Sequence, residues 1–217
     1  MASPVGTLID ARAGQAARRE QILDAACACF VRNGFHRTTM QDLAREAGMT
    51  AGNFYHYFRS KEALVLGLVE RERESGALLV TRLQQEGDRR SALFGVLGQY
   101  FGSLTREAAV LRLEIWSEGT RNPAIAALTA ETEAEARAWF EETFADLATA
   151  SDCDPSALYA LLAPQLKGIV LSRAILPDFD TGMAVAQLQA LIEAGLTGRA
   201  SLPAGEPRSC PAMESRS

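Results

Sequence analysis

The chain has 217 residues, enough for one large or two small domains with a sizeable core, and 47% of them are hydrophobic. No run of about 18 uncharged apolar residues occurs, so the sequence offers no membrane span, and the N-terminus lacks the charged start and apolar core of a signal peptide. A cytoplasmic protein is expected. The net charge of −5 disfavours a protein that coats nucleic acid indiscriminately, but the charge is unevenly spread. Through Lys61 eight basic residues face five acids, leaving +3, while the remainder holds fourteen against twenty-two, leaving −8. A basic head on an acidic body suits site-specific binding.

Residues 1–14 are small, polar and aperiodic, and read as a disordered arm. A first helix is predicted from about Gln15 to Asn33, with Ile22, Ala26, Cys29 and Phe30 on one stripe. Cys27 and Cys29 lie about 200° apart on it and are read as apolar fillers, with no metal site or disulfide framework. Gly34 ends the helix and Phe35 plugs the core beneath it.

Two short helices follow. Thr39 is a good N-cap, and Asp42 three residues later completes a capping box in place of the usual Glu. Met40, Leu43, Ala44 and Ala47 are apolar at helical spacing. Gly48 closes this helix as a left-handed cap. Thr50 then caps a second helix running to about Tyr57. A helix, a glycine turn and a second helix form the helix-turn-helix pattern of DNA-binding proteins.

The second helix has two unlike sides. Phe54 and Phe58 stack on one, ready to pack on the first helix. Gly52 and His56, flanked by Asn53, Tyr55 and Tyr57, occupy the other, where an ordinary solvated face would carry Glu and Lys. Gly52 weakens the helix by about 1 kcal/mol relative to Ala, yet lets the backbone approach a partner surface. Asn53 can pair bidentately with an adenine edge, and the tyrosine hydroxyls and His56 can reach bases or phosphates. Lys61, at the start of the next helix, can neutralise a phosphate.

The run from about Arg18 to Glu70 resembles the DNA-binding domain of the TetR family of bacterial transcription regulators. The resemblance rests on Ile22-Leu23-Asp24-Ala25-Ala26, Asn33-Gly34-Phe35, Thr38-Thr39, Asp42-Leu43-Ala44, Ala47-Gly48-Met49-Thr50, Gly52-Asn53-Phe54-Tyr55 and Tyr57-Phe58-Arg59-Ser60-Lys61-Glu62-Ala63-Leu64, in register without a gap. It implies that Thr39 touches phosphate, that Ala51, Gly52, Asn53 and Tyr55 approach bases, and that Tyr57 and Lys61 hold the DNA backbone. At Ala51 many members carry a longer polar or basic side chain, so base reading there is reduced to a thymine-methyl contact or lost.

The chain therefore divides into a helix-turn-helix head at 15–60, a helical body at 61–198 and a disordered tail at 199–217. In the body a fourth helix is predicted from Ser60 to about Glu86, with Leu64, Leu68, Leu78 and Leu79 on its apolar stripe. Further helices are expected at about 89–104, 106–117, 123–149, 155–175 and 182–197, giving an all-α protein of about nine helices. Asn122-Pro123 and Asp154-Pro155 supply cap-plus-proline starts. The stretch Leu113 to Pro123 resembles the C-terminal domains of betaine-regulator-like TetR members.

Phe101, Trp116, Trp139 and Tyr159 are candidate walls of a ligand cavity, with Arg112, Glu114 and Gln165 as orienting polar groups. The apolar surfaces of the last two helices, through Leu158, Leu162, Leu166, Ile169, Leu188, Leu191 and Ile192, are expected to form a dimer interface. The family resemblance implies a four-helix bundle there about a twofold axis. The expected function is a dimeric repressor on double-stranded palindromic DNA, released by a small molecule. The competing reading is an all-α small-molecule-binding protein or enzyme with an incidental helix-turn-helix. The only histidines, His36 and His56, lie in the head, and no catalytic set or cofactor motif is visible in the body, which points away from an enzyme.

Overall fold

The computed structural model describes residues 4–199, with side chains from residue 13 onward; these residues form nine α-helices and no strand. Helix α1 (Pro4–Asn33) starts well before the expected position at Gln15, so residues 4–14, read from the sequence as part of a disordered arm, are helical. Proline is favoured in a first helical turn, and the Ala- and Arg-rich stretch after it propagates a helix readily. Gly34, at φ 79°, ends α1 in the left-handed region.

Helix α2 (Met40–Glu46) carries the complete capping box. The Thr39 hydroxyl accepts from the Asp42 N–H at 3.1 Å, and the Asp42 carboxylate accepts from the Thr39 N–H at 3.1 Å. The Thr39 hydroxyl, which donates to the same carboxylate at 2.6 Å, and the Thr39 N–H hold the Asp42 carboxyl below the usual carboxylate range. Gly48, at φ 64°, closes the helix: its N–H donates to the Arg45 carbonyl and that of Met49 to the Ala44 carbonyl. This pairing satisfies the last carbonyls and turns the chain sharply into helix α3 (Ala51–Tyr57), capped by Thr50.

Helix α4 (Lys61–Glu86) begins at Ser60, whose hydroxyl accepts from the Ala63 N–H. Helix α5 (Arg89–Val96) does not continue regularly to residue 104; it widens into a π-helical turn at Leu97–Gly102. Such turns are rare and are frequent at functional sites. Helices α6 (Arg106–Gly119), α7 (Pro123–Leu147), α8 (Pro155–Ile175) and α9 (Thr181–Leu196) complete the body. Asn122, Asp154 and Asp180 cap α7, α8 and α9, the first two followed by proline.

Two main cores result. The head core joins Ile22, Phe30, Phe35, Leu43, Phe54, Phe58 and Leu64, and it runs on without a break into Ile115 of α6 and Ile125 of α7. The body core joins Leu93, Phe140, Phe144, Leu162 and Ile192 across α5, α7, α8 and α9. Leu78, placed on the α4 stripe from sequence, is instead exposed, whereas Leu64 and Leu68 are buried. Cys29 is buried and Cys27 half-buried in the head, and Cys153 packs against the body core. Cys210 and the expected tail from residue 200 lie outside the described residues.

The residues expected at a dimer interface require a correction. Leu158, Leu162, Leu166, Ile169, Leu188 and Ile192 are buried within the subunit's own core, with Leu191 half-buried against it. Helix α7 and the α5–π segment cover that side of the α8–α9 pair. The large apolar residues left open are Leu171, Ile175, Leu176 and Met183. Helix α8 is long and apolar enough by composition to cross a membrane, but it carries Lys167 and Arg173 and packs against α6, α7 and α9 as a bundle helix.

Phe54 is fully buried and seats α3 on the head core. Replacing it with Ala should cost about 3–5 kcal/mol in denaturant unfolding. A loss below about 1 kcal/mol, the ordinary value for an arbitrary substitution, would contradict that seating.

Candidate nucleic-acid interface and effector cavity

The head presents one edge of α3 to solvent. Ala51, Gly52, Asn53, Tyr55 and His56 are exposed and Tyr57 is half-buried, while Phe54 and Phe58 on the opposite side are buried. The tyrosine ring at 57 stands edge-on to His56, centroids 5.8 Å apart, so the aromatic groups hold one another at the C-terminal end of the edge. No Cβ or neighbouring atom crowds Gly52, which leaves the backbone approachable. Thr39 and Thr50 are also exposed, although both hydroxyls serve as helix caps.

The cations around this edge divide into paired and unpaired groups. Arg45 pairs with Asp42 at 2.6 Å and Arg32 with Glu46 at 2.8 Å. Lys61, expected to meet a phosphate, donates to the Phe35 carbonyl at 2.8 Å and stands over the Phe35 ring at 4.4 Å. In this arrangement its ammonium clamps the turn between α1 and α2. Arg37 and Arg59 are exposed and, among the described residues, form no ion pair. They flank the helix-turn-helix at its two ends. Their position immediately before the capping box and after Phe58 was available in the sequence as a signal for phosphate contact.

The body holds a half-open cavity of about 450 Å³ between α4, the α5–π segment, α6, α7 and α8. Phe101, Arg112, Trp116, Trp139 and Tyr159 line it, as expected for an effector site. Glu114 and Gln165 do not. Gln165 lies on the open side of α8, one residue before the buried Leu166. Residues unexpected from sequence also line the cavity, notably Glu72, Thr129 and Glu133. A recoverable signal existed in α7, where Thr129, Thr132, Glu133, Ala136 and Phe140 share one helical face.

The polar lining is already extensively paired. Glu72 accepts from the Tyr100 hydroxyl at 2.7 Å and from Arg112 Nε. Glu133 accepts from the Tyr159 hydroxyl at 3.0 Å and from Lys167 at 3.1 Å. Glu135 accepts from Arg73 at 2.6 Å. Burial, reinforced by the adjacent carboxylates, pushes the Tyr100 and Tyr159 phenols well up, so both remain neutral donors.

Glu114 has a different task. Successive residues turn by about 100° along a helix, so Glu114 points away from Arg112, which lies two positions back. Its carboxylate accepts from the Phe35 N–H at 2.8 Å. One turn further on, the buried Glu118 meets His36 Nε2 at 3.1 Å. Helix α6 thus carries a cavity wall (Arg112, Ile115, Trp116) and a clamp on the α1–α2 turn (Glu114, Glu118) on different sides of one rod.

A helix-turn-helix head, joined by continuous packing to a helical body with an apolar cavity, defines the class of helix-turn-helix regulators. Residues 22–68 match the bacterial regulatory proteins of the tetR family, and residues 89–197 match the C-terminal domain of BetI-type transcriptional repressors. The chain belongs to the TetR family of DNA-binding transcriptional regulators.

It is similar to the transcriptional regulator UidR of Escherichia coli (strain K12), at 36% identity over 113 residues, 51% of this chain and 56% of UidR. It is also similar to the repressor Rv1474c of Mycobacterium tuberculosis, at 40% identity over 67 residues, 31% of this chain and 36% of that protein. The matched segments thus span about half or less of the curated relatives. Salmonella enterica GusR superposes with a TM-score of 0.65 at 26% identity, covering 83% of this chain and 95% of GusR. A regulator from Saccharomonospora viridis in complex with choline shares the fold, with a TM-score of 0.68 at 20% identity over 82% of this chain and 94% of that one.

The Glu114 contact yields a local test. A hydrogen bond to a charged group contributes about 1.5–3 kcal/mol, so Glu114→Ala should destabilise the head by about that much and speed hydrogen exchange at the Phe35 amide. Unchanged exchange at Phe35 would show that the contact does not hold the turn.

Proposed function

We propose that the protein is a homodimeric repressor that binds a palindromic operator through α3 of each subunit and is released by a small molecule in the body cavity. The observation that carries this reading is the exposure of Gly52, Asn53, Tyr55 and His56 on the edge opposite the buried Phe54 and Phe58. That edge offers amide, hydroxyl and imidazole groups with the reach to read a major groove, and a glycine that lets the backbone come close. Arg37, Arg59 and Thr39 stand where phosphates flank such a helix, and they fix its register without reading sequence. The side-chain roles of Thr50, Ala51 and Tyr57 follow from the same docking.

A twofold pair is proposed to place two such helices in successive major grooves, about 34–36 Å apart. The surface best suited to pairing is the open side of α8 and α9. Ala160, Pro164, Leu171 and Ile175 recur at helical spacing on α8, and Met183, Ala186, Gln187 and Ala190 on α9, all exposed. Small and apolar residues in two adjacent stripes suit close packing of four helices about an axis.

Release of DNA follows if the effector prefers a body shape that moves the heads. The shift can be no larger than its differential affinity for the two shapes, typically about 1–3 kcal/mol. Helix α6 supplies a short route, because displacement of Arg112 or Trp116 carries Glu114 and Glu118 with it. Helix α4 is a second connection, running from the head at Leu64 to the cavity at Glu72 and Gly76.

Two measurements bear on this reading. Asn53→Ala with Tyr55→Ala should weaken binding to an inverted repeat from the protein's own promoter by about 10-fold or more, with little change on random duplex. Retained discrimination between the two duplexes in the folded variant would refute it. Leu171→Glu should leave the subunit folded but shift it to monomer in sedimentation, and operator affinity should fall with it. A dimer of unchanged stability would move the interface elsewhere.

A further inference from the structure

Building on the effector-site reading of the cavity, we propose that its ligand is an organic acid: a small amphipathic molecule whose carboxylate oxygens are received by Arg112 and Thr129, with a further acceptor under Trp139. Three buried side-chain polar atoms among the described residues lack a hydrogen-bond partner: Arg112 Nη1, Thr129 Oγ1 and Trp139 Nε1. All three belong to residues lining this cavity. Arg112 Nη1 and Trp139 Nε1 are donors only, and the Thr129 hydroxyl can donate. Buried donors without partners are costly, and a ligand bearing acceptor oxygens removes that cost.

The remaining lining argues against a cationic ligand. Each cavity carboxylate already holds a cation: Glu72 holds Arg112, Glu133 holds Lys167 and Glu135 holds Arg73. The faces of Tyr100 and Phe101 are also engaged by a cation. The Arg112 guanidinium stands 4.3 Å from the Tyr100 ring centre and 5.8 Å from that of Phe101. A guanidinium held on one side by Glu72, with a free Nη1 on the other, matches the planar fork that grips a carboxylate.

The geometry also places the acid. Helices α6 and α7 are consecutive and antiparallel about the Arg121–Asn122 turn, so Arg112 and Thr129 fall at similar heights. Trp139 lies ten residues along α7 from Thr129, about 15 Å away at 1.5 Å per residue. The apolar lining of the cavity, Phe101, Trp116, Phe140 and Leu166 among it, suits an apolar or ring-bearing middle. A volume of about 450 Å³ is in the range of sites for molecules of this size.

The protein carries its own reporter, because its two tryptophans, Trp116 and Trp139, both line the cavity. A matched series tests the assignment by fluorescence titration of the full-length dimer: 4-phenylbutyrate, 4-phenylbutanol and 4-phenylbutyl-trimethylammonium. The acid should bind at least about 10-fold more tightly than the other two. Arg112→Lys, which keeps the charge but loses the fork, and Thr129→Val, which keeps the shape but loses the hydroxyl, should each reduce that preference about 10-fold. Gln165→Ala, outside the cavity, should leave it unchanged.

Equal or tighter binding of the alcohol or the ammonium compound would overturn the acid assignment, and so would failure of the acid to bind at millimolar concentration. Operator binding followed in the same samples separates the two claims. If the ammonium compound binds and releases DNA, the acid assignment falls and the effector-site reading stands. If the acid binds with the expected preference but DNA remains bound, the assignment stands and the effector-site reading falls.

Discussion

Burial of Phe54 and Phe58 is the constraint from which the rest of the head follows. A helix as short as α3 is not stable in isolation, so its orientation is set by the side that packs. With those two rings in the head core, the 3.6-residue period leaves no choice about which edge faces outward. That edge bears Gly52, Asn53, Tyr55 and His56. The Schellman turn at Gly48 and the capping box at Thr39 fix the angle between α2 and α3, so the outward edge is presented rigidly. The chemistry that α3 presents to solvent is therefore a consequence of hydrophobic seating.

The second organising feature is the continuity between head and body. Ile115 and Ile125 belong to the same apolar cluster as Phe54, and Glu114 bonds a backbone amide of the head. A rigid α6 cannot move its cavity side without moving this contact. Under the proposed mechanism, the continuous packing of the two units is what lets a cavity in the body act on a helix in the head. A loosely linked head would be indifferent to what fills the cavity.

Much of the head was legible in the sequence because its signals are local. Thr39 with Asp42, Gly48, and Phe54 with Phe58 each act within a few residues, and the structure places them as their spacing requires. The body was less legible because apolarity does not name its partner. Leu158, Leu162 and Ile192 look the same whether covered by a second subunit or by neighbouring helices, and here α7 and the α5–π segment cover them. Arg112 and Glu114 looked equivalent as polar candidates, yet about 200° of helix separates the cavity from the head turn. The Lys61 clamp on the α1–α2 turn was not legible because a carbonyl acceptor there leaves no trace in composition. The early start of α1 was obscured by small residues that lack a periodic stripe but favour a helix.

The central claim, that α3 enters the major groove in a symmetric pair, is most directly tested by footprinting on the promoter inverted repeat. Methylation interference at guanine N7, a major-groove atom, should appear in two symmetric clusters centred about 10–10.5 base pairs, or a multiple of that spacing, apart on one face of the duplex. Interference that is absent, confined to one half-site or spread evenly along the duplex would contradict the account.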